Sequence, residues 1–200
     1  MKIGLILGSF NPITVAHLAM VSNLLNSKSC DKVLLVVAKH NPWKKEEPAP
    51  FELRCKMAEI AIAPFGDACE VCRFEEDIEP PAYSYITIGI ALKKYPNDEL
   101  FLVGGSDTIP QIPNWKNYDT HIKGKIGLIE ITRGNKNSSL ANTNKPFVKW
   151  INDDIEKLEI QRMDVSSTMI RNMLKDGMNP YPYITENVYN FIKKYNLYNG

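Results

Sequence analysis

The chain has 200 residues, 44% of them hydrophobic and 24% charged, which excludes a disordered or fibrous polymer and predicts one globular domain, residues 1–200, with a sizeable core. Twenty-four Lys and Arg residues against 23 Asp and Glu leave a formal net charge of +1, without the basic excess of a dedicated nucleic-acid binder. Any anion affinity must therefore be local; the first apolar run is also too short to span a membrane and lacks a cleavage pattern, so the expected location is cytoplasmic.

Ile3, Leu5, Ile6 and Leu7 form an apolar run too short for a helix and suited to a strand buried on both faces of a parallel sheet. From Val15 the apolar residues recur at three- and four-residue steps (Leu18, Ala19, Leu25), which predicts a helix with Thr14 as its N-cap. Between the two lies a turn. Gly8 lets the backbone approach a ligand, Pro12 stiffens the loop, and the free amides of the first helical turn attract anions. Thr14 and His17, three residues apart, lie on one side of that turn and can converge on one phosphate. An ordinary strand-to-helix turn carrying a surface histidine has the same local pattern.

Val33 to Ala38 predicts a second strand, and its distance from Ile3 fits a right-handed βαβ unit, hence a parallel sheet. The polar, proline-rich stretch from Lys39 to Pro50 reads as a loop at that strand's carboxyl end, where ligands bind in open α/β sheets. Lys44 and Lys45 are placed there to meet phosphates, unless Glu46 and Glu47 neutralise them. A helix follows from Phe51 to Ala63, then a short strand from Val71 to Phe74, then a helical pattern from Ser84 that stops before Pro96. Cys69 and Cys72 make a lone C-x-x-C, which reads as thiols packed beside a strand rather than a zinc site.

Leu100 to Val103 predicts a buried strand running into Gly104-Gly105-Ser106-Asp107, where glycines permit close approach and Asp107 can accept from ribose hydroxyls or cap a helix. Trp115, ten residues after Gly105, can stack on a flat ring or simply cover the core. Lys125 to Thr132 predicts another strand, followed by Arg133, and residues 134–157 are polar enough to predict an irregular loop segment. Ser166, Ser167 and Thr168 then bring hydroxyls and amides to a helix start, with Arg171 one turn in, making either a second anion cradle or a serine-rich cap. Val188, Phe191 and Ile192 mark the apolar face of a last helix, Thr185 to Tyr195.

Gly8-Ser9-Phe10-Asn11-Pro12-Ile13-Thr14-Val15-Ala16-His17 resembles the Gly-x-Phe-(Asp/Asn)-Pro-x-(His/Thr)-x-Gly-His signature of the nucleotidylyltransferase superfamily, with Ala16 where the pattern has glycine. Val165 to Arg171 resembles its Ile-Ser-x-Thr-x-Ile-Arg signature. The spacing of Gly105 and Asp107 from Pro113 and Trp115 resembles the pyridine-nucleotide branch, and Pro42-Trp43-Lys44 stands where bacterial members carry Pro-His-Lys.

The resemblance implies an α/β fold with a Rossmann-like doubly wound sheet, mainly parallel, and helices on both faces. It implies a nicotinate or nicotinamide mononucleotide adenylyltransferase that joins ATP and the mononucleotide to give NAD, or its deamido form, and pyrophosphate. On this resemblance ATP is expected at Gly8, Ser9, Phe10, His17, Gly105, Asp107, Ser166, Ser167, Thr168 and Arg171, and the mononucleotide at Asn11, Lys44, Thr87, Trp115 and Arg133. His17, Thr14, Lys44 and Arg171 would stabilise the reacting phosphates. Mg2+ is expected on the ATP phosphates rather than in a protein cage. No nucleic-acid or membrane partner is expected, and a homo-oligomer is compatible with the sequence. Phosphopantetheine adenylyltransferases and cytidylyltransferases, which share the first motif, remain alternatives, as does a non-catalytic nucleotide sensor.

Overall fold

The strand Lys2–Gly8 (β1) lies between two others, and everything else is arranged by the way the chain leaves it. A computed structural model describes residues 1–40, 49–106, 108–133, 155–160 and 163–199, with residues 132–133 and 155–160 described by their backbone alone. From β1 the chain crosses through helix α1 (Val15–Asn26) to β2 (Lys32–Val37), then through α2 (Phe51–Ile62) to β3 (Cys69–Cys72). Helix α3 (Ser84–Lys94) then returns the chain to the other side of β1, where β4 (Glu99–Gly105), β5 (Gly127–Arg133) and β6 (Ile155–Ile160) follow outwards. The order is β3-β2-β1-β4-β5-β6, and all five pairings are parallel. Helices α4 (Ser167–Lys175) and α5 (Glu186–Lys194) close the chain, capped by Ser166 and Thr185, whose side chains accept the Met169 and Val188 amides.

Alternation along the strands decides which helix goes where. Ile3 and Leu5 of β1, Leu34 and Val36 of β2, and Leu100 and Leu102 of β4 share one core with Ile88 and Ala91 of α3 and with Ile109 and Ile112 of a 3-10 turn. Ile6, Val33, Leu35, Val37 and Val103 face the opposite core, with Val21 and Leu24 of α1, Met57 and Ala58 of α2, Ile170 of α4 and Val188 and Ile192 of α5. Both sheet faces are thus covered, which is why the strands read as nearly continuous apolar runs. Fully burying one such Leu or Ile side chain stabilises the fold by about 1.5–3 kcal/mol, before entropy is counted. Among the described residues no helix is long and apolar enough to cross a membrane.

Two sequence expectations shift. The third strand is Cys69–Cys72, two residues earlier than its apolar run suggested, because its ends are set by pairing with β2, Val33 opposite Cys69 and Val36 opposite Cys72. Cys69 and Cys72, three apart on a strand, point into opposite cores and cannot share a metal. Burial pushes both thiols up to about 12, as expected of packing residues. The second shift is at β6. Residues 155–157, expected to be loop, begin an edge strand in register with β5, Ile131 opposite Leu158. Its charges, Glu156, Lys157 and Glu159, suit an edge and hide the strand from a search for apolar runs.

Candidate active site

The strand order reverses at β1, since the first crossovers run from it towards β3 and the later ones away from β4. The carboxyl ends of β1 and β4 therefore leave a crevice between diverging connections. A cavity of about 620 Å³ occupies it, bounded by Gly8, Ser9 and Phe10 after β1, His17 on α1, Gly104 and Gly105 at the end of β4, and Trp115 beyond.

The turn after β1 is built around an aromatic ring. Phe10 has a left-handed backbone, φ 45°, and is only 2% exposed. Its ring folds back over Gly8 so closely that a Cβ there would sit 3.0 Å from Phe10 Cζ. Gly8 thus makes room for a protein side chain as well as bordering the cleft. The same ring meets the His17 imidazole edge to face, centroids 5.2 Å apart at 68°, and so fixes one side of the histidine.

The other side is fixed by Thr14. Its backbone N–H donates to His17 Nδ1 at 3.0 Å, and its Oγ1 lies 2.9 Å from the same nitrogen. An amide can only donate, so Nδ1 is the acceptor and the proton of the neutral ring sits on Nε2. His17 borders the cavity with its tautomer so defined. Thr14 itself is 1% exposed and does not border the cavity. Thr14 was expected to contact phosphate; here its hydroxyl lies against His17 Nδ1 and positions the imidazole.

Asn11 and Thr87 also differ from expectation. The Asn11 side chain is buried and accepts from Tyr198 Oη at 2.5 Å, tying the first loop to the end of the chain instead of facing the cavity. Thr87, also buried, donates from Oγ1 to Glu75 Oε1 at 2.8 Å, and it is Glu75 that borders the cleft. Trp115 lies at the cavity wall, half-buried against the α3-side core. Lys44 and Asp107 lie outside the described residues, and only the backbone of Arg133 is described.

The second motif docks on the first. Ser167 Oγ donates to Pro12 O at 2.8 Å and Arg171 Nη1 to Asn11 O at 2.8 Å, while Arg171 Nη2 donates to Thr168 Oγ1 at 3.1 Å. Ser166 is spent on its own helix, accepting the Met169 amide at 3.1 Å. None of these four side chains borders the cavity. They brace the loop carrying the histidine, and Arg171 has five N–H donors, of which these contacts account for two.

Sequence reasoning missed Glu75, Tyr83 and Lys116, all on the cavity wall. Glu75 is 6% exposed, and burial pushes its carboxyl above the usual carboxylate range, against the Thr87 hydroxyl, the Lys39 amide and the Arg54 charge that pull it down. Nothing in its run, Phe74-Glu75-Glu76-Asp77, separates it from solvated acids. Tyr83 stacks on Tyr85 with centroids 6.0 Å apart, and Lys116 Nζ stands 4.1 Å from the Tyr83 centroid. Adjacency to Trp115 was the available signal for Lys116.

A sequence profile described as Cytidylyltransferase-like matches residues 5–173. Two curated relatives, from Methylacidiphilum infernorum and Clostridium tetani, both named "Probable nicotinate-nucleotide adenylyltransferase", are 33% identical over 193 residues. Each match covers 96% of this chain, and it covers 89% of the first relative and 96% of the second. Among solved structures, the Plasmodium falciparum nicotinic acid mononucleotide adenylyltransferase complexed with NaAD superposes with a TM-score of 0.76 at 21% identity, covering 98% of this chain and 97% of that one. That likeness establishes the doubly wound fold independently of the motifs. With the profile spanning most of the chain, and the second motif braced on the first, the chain belongs to the cytidylyltransferase-like family and, within it, to the nicotinate-nucleotide adenylyltransferases.

Proposed function

We propose that the crevice between β1 and β4 joins ATP to nicotinate or nicotinamide mononucleotide, giving the dinucleotide and pyrophosphate. The observation that carries the reading is the His17 imidazole, held by Thr14 and Phe10 so that Nε2 bears its proton, at the mouth of a parallel-sheet switch point. An oxygen of the mononucleotide 5′-phosphate attacks the α-phosphorus of ATP. A new phosphorus–oxygen bond forms as the bond to the bridging α,β oxygen breaks, and its electron pair leaves with pyrophosphate. The nucleophile is already an anion at neutral pH, so no general base and no covalent intermediate are needed. Catalysis then rests on in-line positioning and on charge stabilisation.

His17 Nε2 donates to a non-bridging oxygen of the α-phosphate, where negative charge is concentrated in the transition state. The amides at the start of α1 add their dipoles. Lys44, Arg171 and the Ser167 and Thr168 amides attract the departing pyrophosphate, and Asp107 accepts from the ribose. ATP enters as its magnesium complex, the ion keeping most of its waters. Among the described residues no three His, Cys, Asp or Glu side chains gather to hold a metal.

Trp115 takes the pyridine ring. Trp115→Ala is expected to weaken mononucleotide binding by roughly 1–3 kcal/mol, the scale of a lost aromatic stack, with ATP binding nearly intact. Mononucleotide KM values equal to those of the parent enzyme would return Trp115 to a purely packing role. The activity itself is tested by pyrophosphate release from ATP with nicotinate mononucleotide, with nicotinamide mononucleotide and with phosphopantetheine. Turnover with a pyridine mononucleotide alone is expected. Efficient reaction with phosphopantetheine, or ATP binding without turnover on any of the three, contradicts it.

A further inference from the structure

Side chains from distant parts of the sequence hold the turn after β1. Arg54 Nη1 donates to Ser9 O at 2.9 Å, Arg171 Nη1 to Asn11 O at 2.8 Å and Ser167 Oγ to Pro12 O at 2.8 Å, and these three grip the backbone. A fourth contact is of another kind. Tyr198 Oη donates to Asn11 Oδ1 at 2.5 Å, so it fixes a side chain, and it comes from beyond α5, outside both motifs. Tyr198 and Asn11 are both buried, and neither borders the cavity. Burial pushes the Tyr198 phenol above the usual tyrosine range, while the Arg171 and Arg54 charges pull it down. The hydroxyl therefore keeps its proton at neutral pH and remains a donor.

Asn11 is bonded to Phe10, which holds a left-handed φ of 45° that a bulky residue keeps only where its surroundings impose it. Phe10 shares a core with Tyr198 and sets its ring edge to face against the His17 imidazole. Three links thus run from the Tyr198 hydroxyl to the histidine: the Asn11 amide, the Asn11–Phe10 peptide and the Phe10 ring. Without the hydroxyl, the Asn11 oxygen loses its partner in a place that water reaches poorly. The turn then relaxes and the imidazole loses a wall. The Thr14 amide still sets the tautomer, so Nε2 keeps its proton but not its place.

We propose that Tyr198 is a positioning residue for the reaction, holding His17 in line with the α-phosphate through Asn11 and Phe10. The assignment rests on the adenylyltransferase reading and on His17 as the donor that acts in the transition state.

The test measures kcat, both KM values and the urea midpoint for Tyr198→Phe and Asn11→Ala, each made in the parent enzyme and in His17→Ala. Tyr198→Phe keeps the ring and removes only the donor. It is expected to lower kcat about tenfold, as a small misplacement of a reacting group does, with KM values within about twofold of the parent. The urea midpoint should fall by about 0.5 M, the scale of one lost hydrogen bond in a chain of this size. Asn11→Ala should show the same split. In His17→Ala, where there is no imidazole to position, neither change should lower the residual kcat more than about twofold, because residues that act as a unit are not additive.

A Tyr198→Phe enzyme with near-parental kcat overturns the assignment. So does a tenfold loss that persists in His17→Ala, since the contact then acts other than through the imidazole. Raised KM at unchanged kcat overturns it by placing the effect in binding, and a Tyr198→Phe protein unfolded under assay conditions does so by making the contact one that the fold itself requires. A parent enzyme inactive with every mononucleotide overturns the underlying reading and this assignment with it, a result seen before any variant is compared.

Discussion

His17→Ala is expected to lower kcat by about a hundredfold or more, with much smaller changes in the KM values for ATP and the mononucleotide. The size follows from where the donor acts. In the ground state the α-phosphate oxygens share their charge with surrounding water. As the 5′-phosphate approaches, charge builds at the α-phosphorus oxygens, and a fixed N–H there gains strength that a mobile water would have to be reorganised to supply. The Thr14 amide on Nδ1 and the Phe10 ring against the imidazole hold that N–H in place before substrate arrives. His17→Asn, which can place a donor near the same locus without the imidazole's reach, should recover only part of the loss.

A structural role predicts the opposite pattern. His17 closes the first turn of α1 by accepting from Thr14, so losing it should cost at most the 0.5–2 kcal/mol typical of a helix cap, whatever its effect on rate. Measuring kcat and the urea unfolding midpoint on the same preparation separates the two. A folded His17→Ala protein with near-normal kcat would reject the mechanism, even though the family assignment would stand.

What the sequence revealed depended on how local the causes were. Strands β1, β2 and β4 and the turn between Gly8 and His17 could be read because apolar runs, a glycine, a proline and a cap act over a few residues. The partner choices of polar side chains could not. Thr87 was expected at the pyridine, but its hydroxyl goes to Glu75, 12 residues earlier, and Asn11 goes to Tyr198, 187 residues later. Both contacts exist only once α3 and the last turn of the chain have docked. The same holds for Ser167 and Arg171, whose partners Pro12 and Asn11 lie in the other motif. Two anion-like motifs recognised separately turn out to be one braced unit, and no pattern of spacing within either could express that.

Arg54→Ala is expected to destabilise the protein by about 3–5 kcal/mol, the range for breaking a buried charged arrangement. Arg54 is 2% exposed and its guanidinium nitrogens reach four carbonyls: Ala49 O from Nε at 3.0 Å, Ser9 O and Ala38 O from Nη1 at 2.9 and 2.6 Å, and Lys39 O from Nη2 at 2.9 Å. These acceptors belong to the turn after β1, the end of β2 and the entry to α2. One planar cation therefore pins three segments that edge the crevice, each through a charge-assisted hydrogen bond worth roughly 1.5–3 kcal/mol taken singly and less in sum. Truncation leaves those carbonyls to water that reaches them poorly. Arg54→Lys should be intermediate, since a single ammonium on a flexible stem cannot address four divergent acceptors. Against a typical total of about 5–15 kcal/mol, the alanine change consumes a large share of stability. It should lower the urea midpoint with little change in m, and raise the KM for ATP by loosening Ser9 before any effect on the chemical step. An unfolding free energy within about 1 kcal/mol of the parent protein's would mean that Arg54 is replaceable by packing, and that β1, β2 and α2 hold the mouth of the crevice without it.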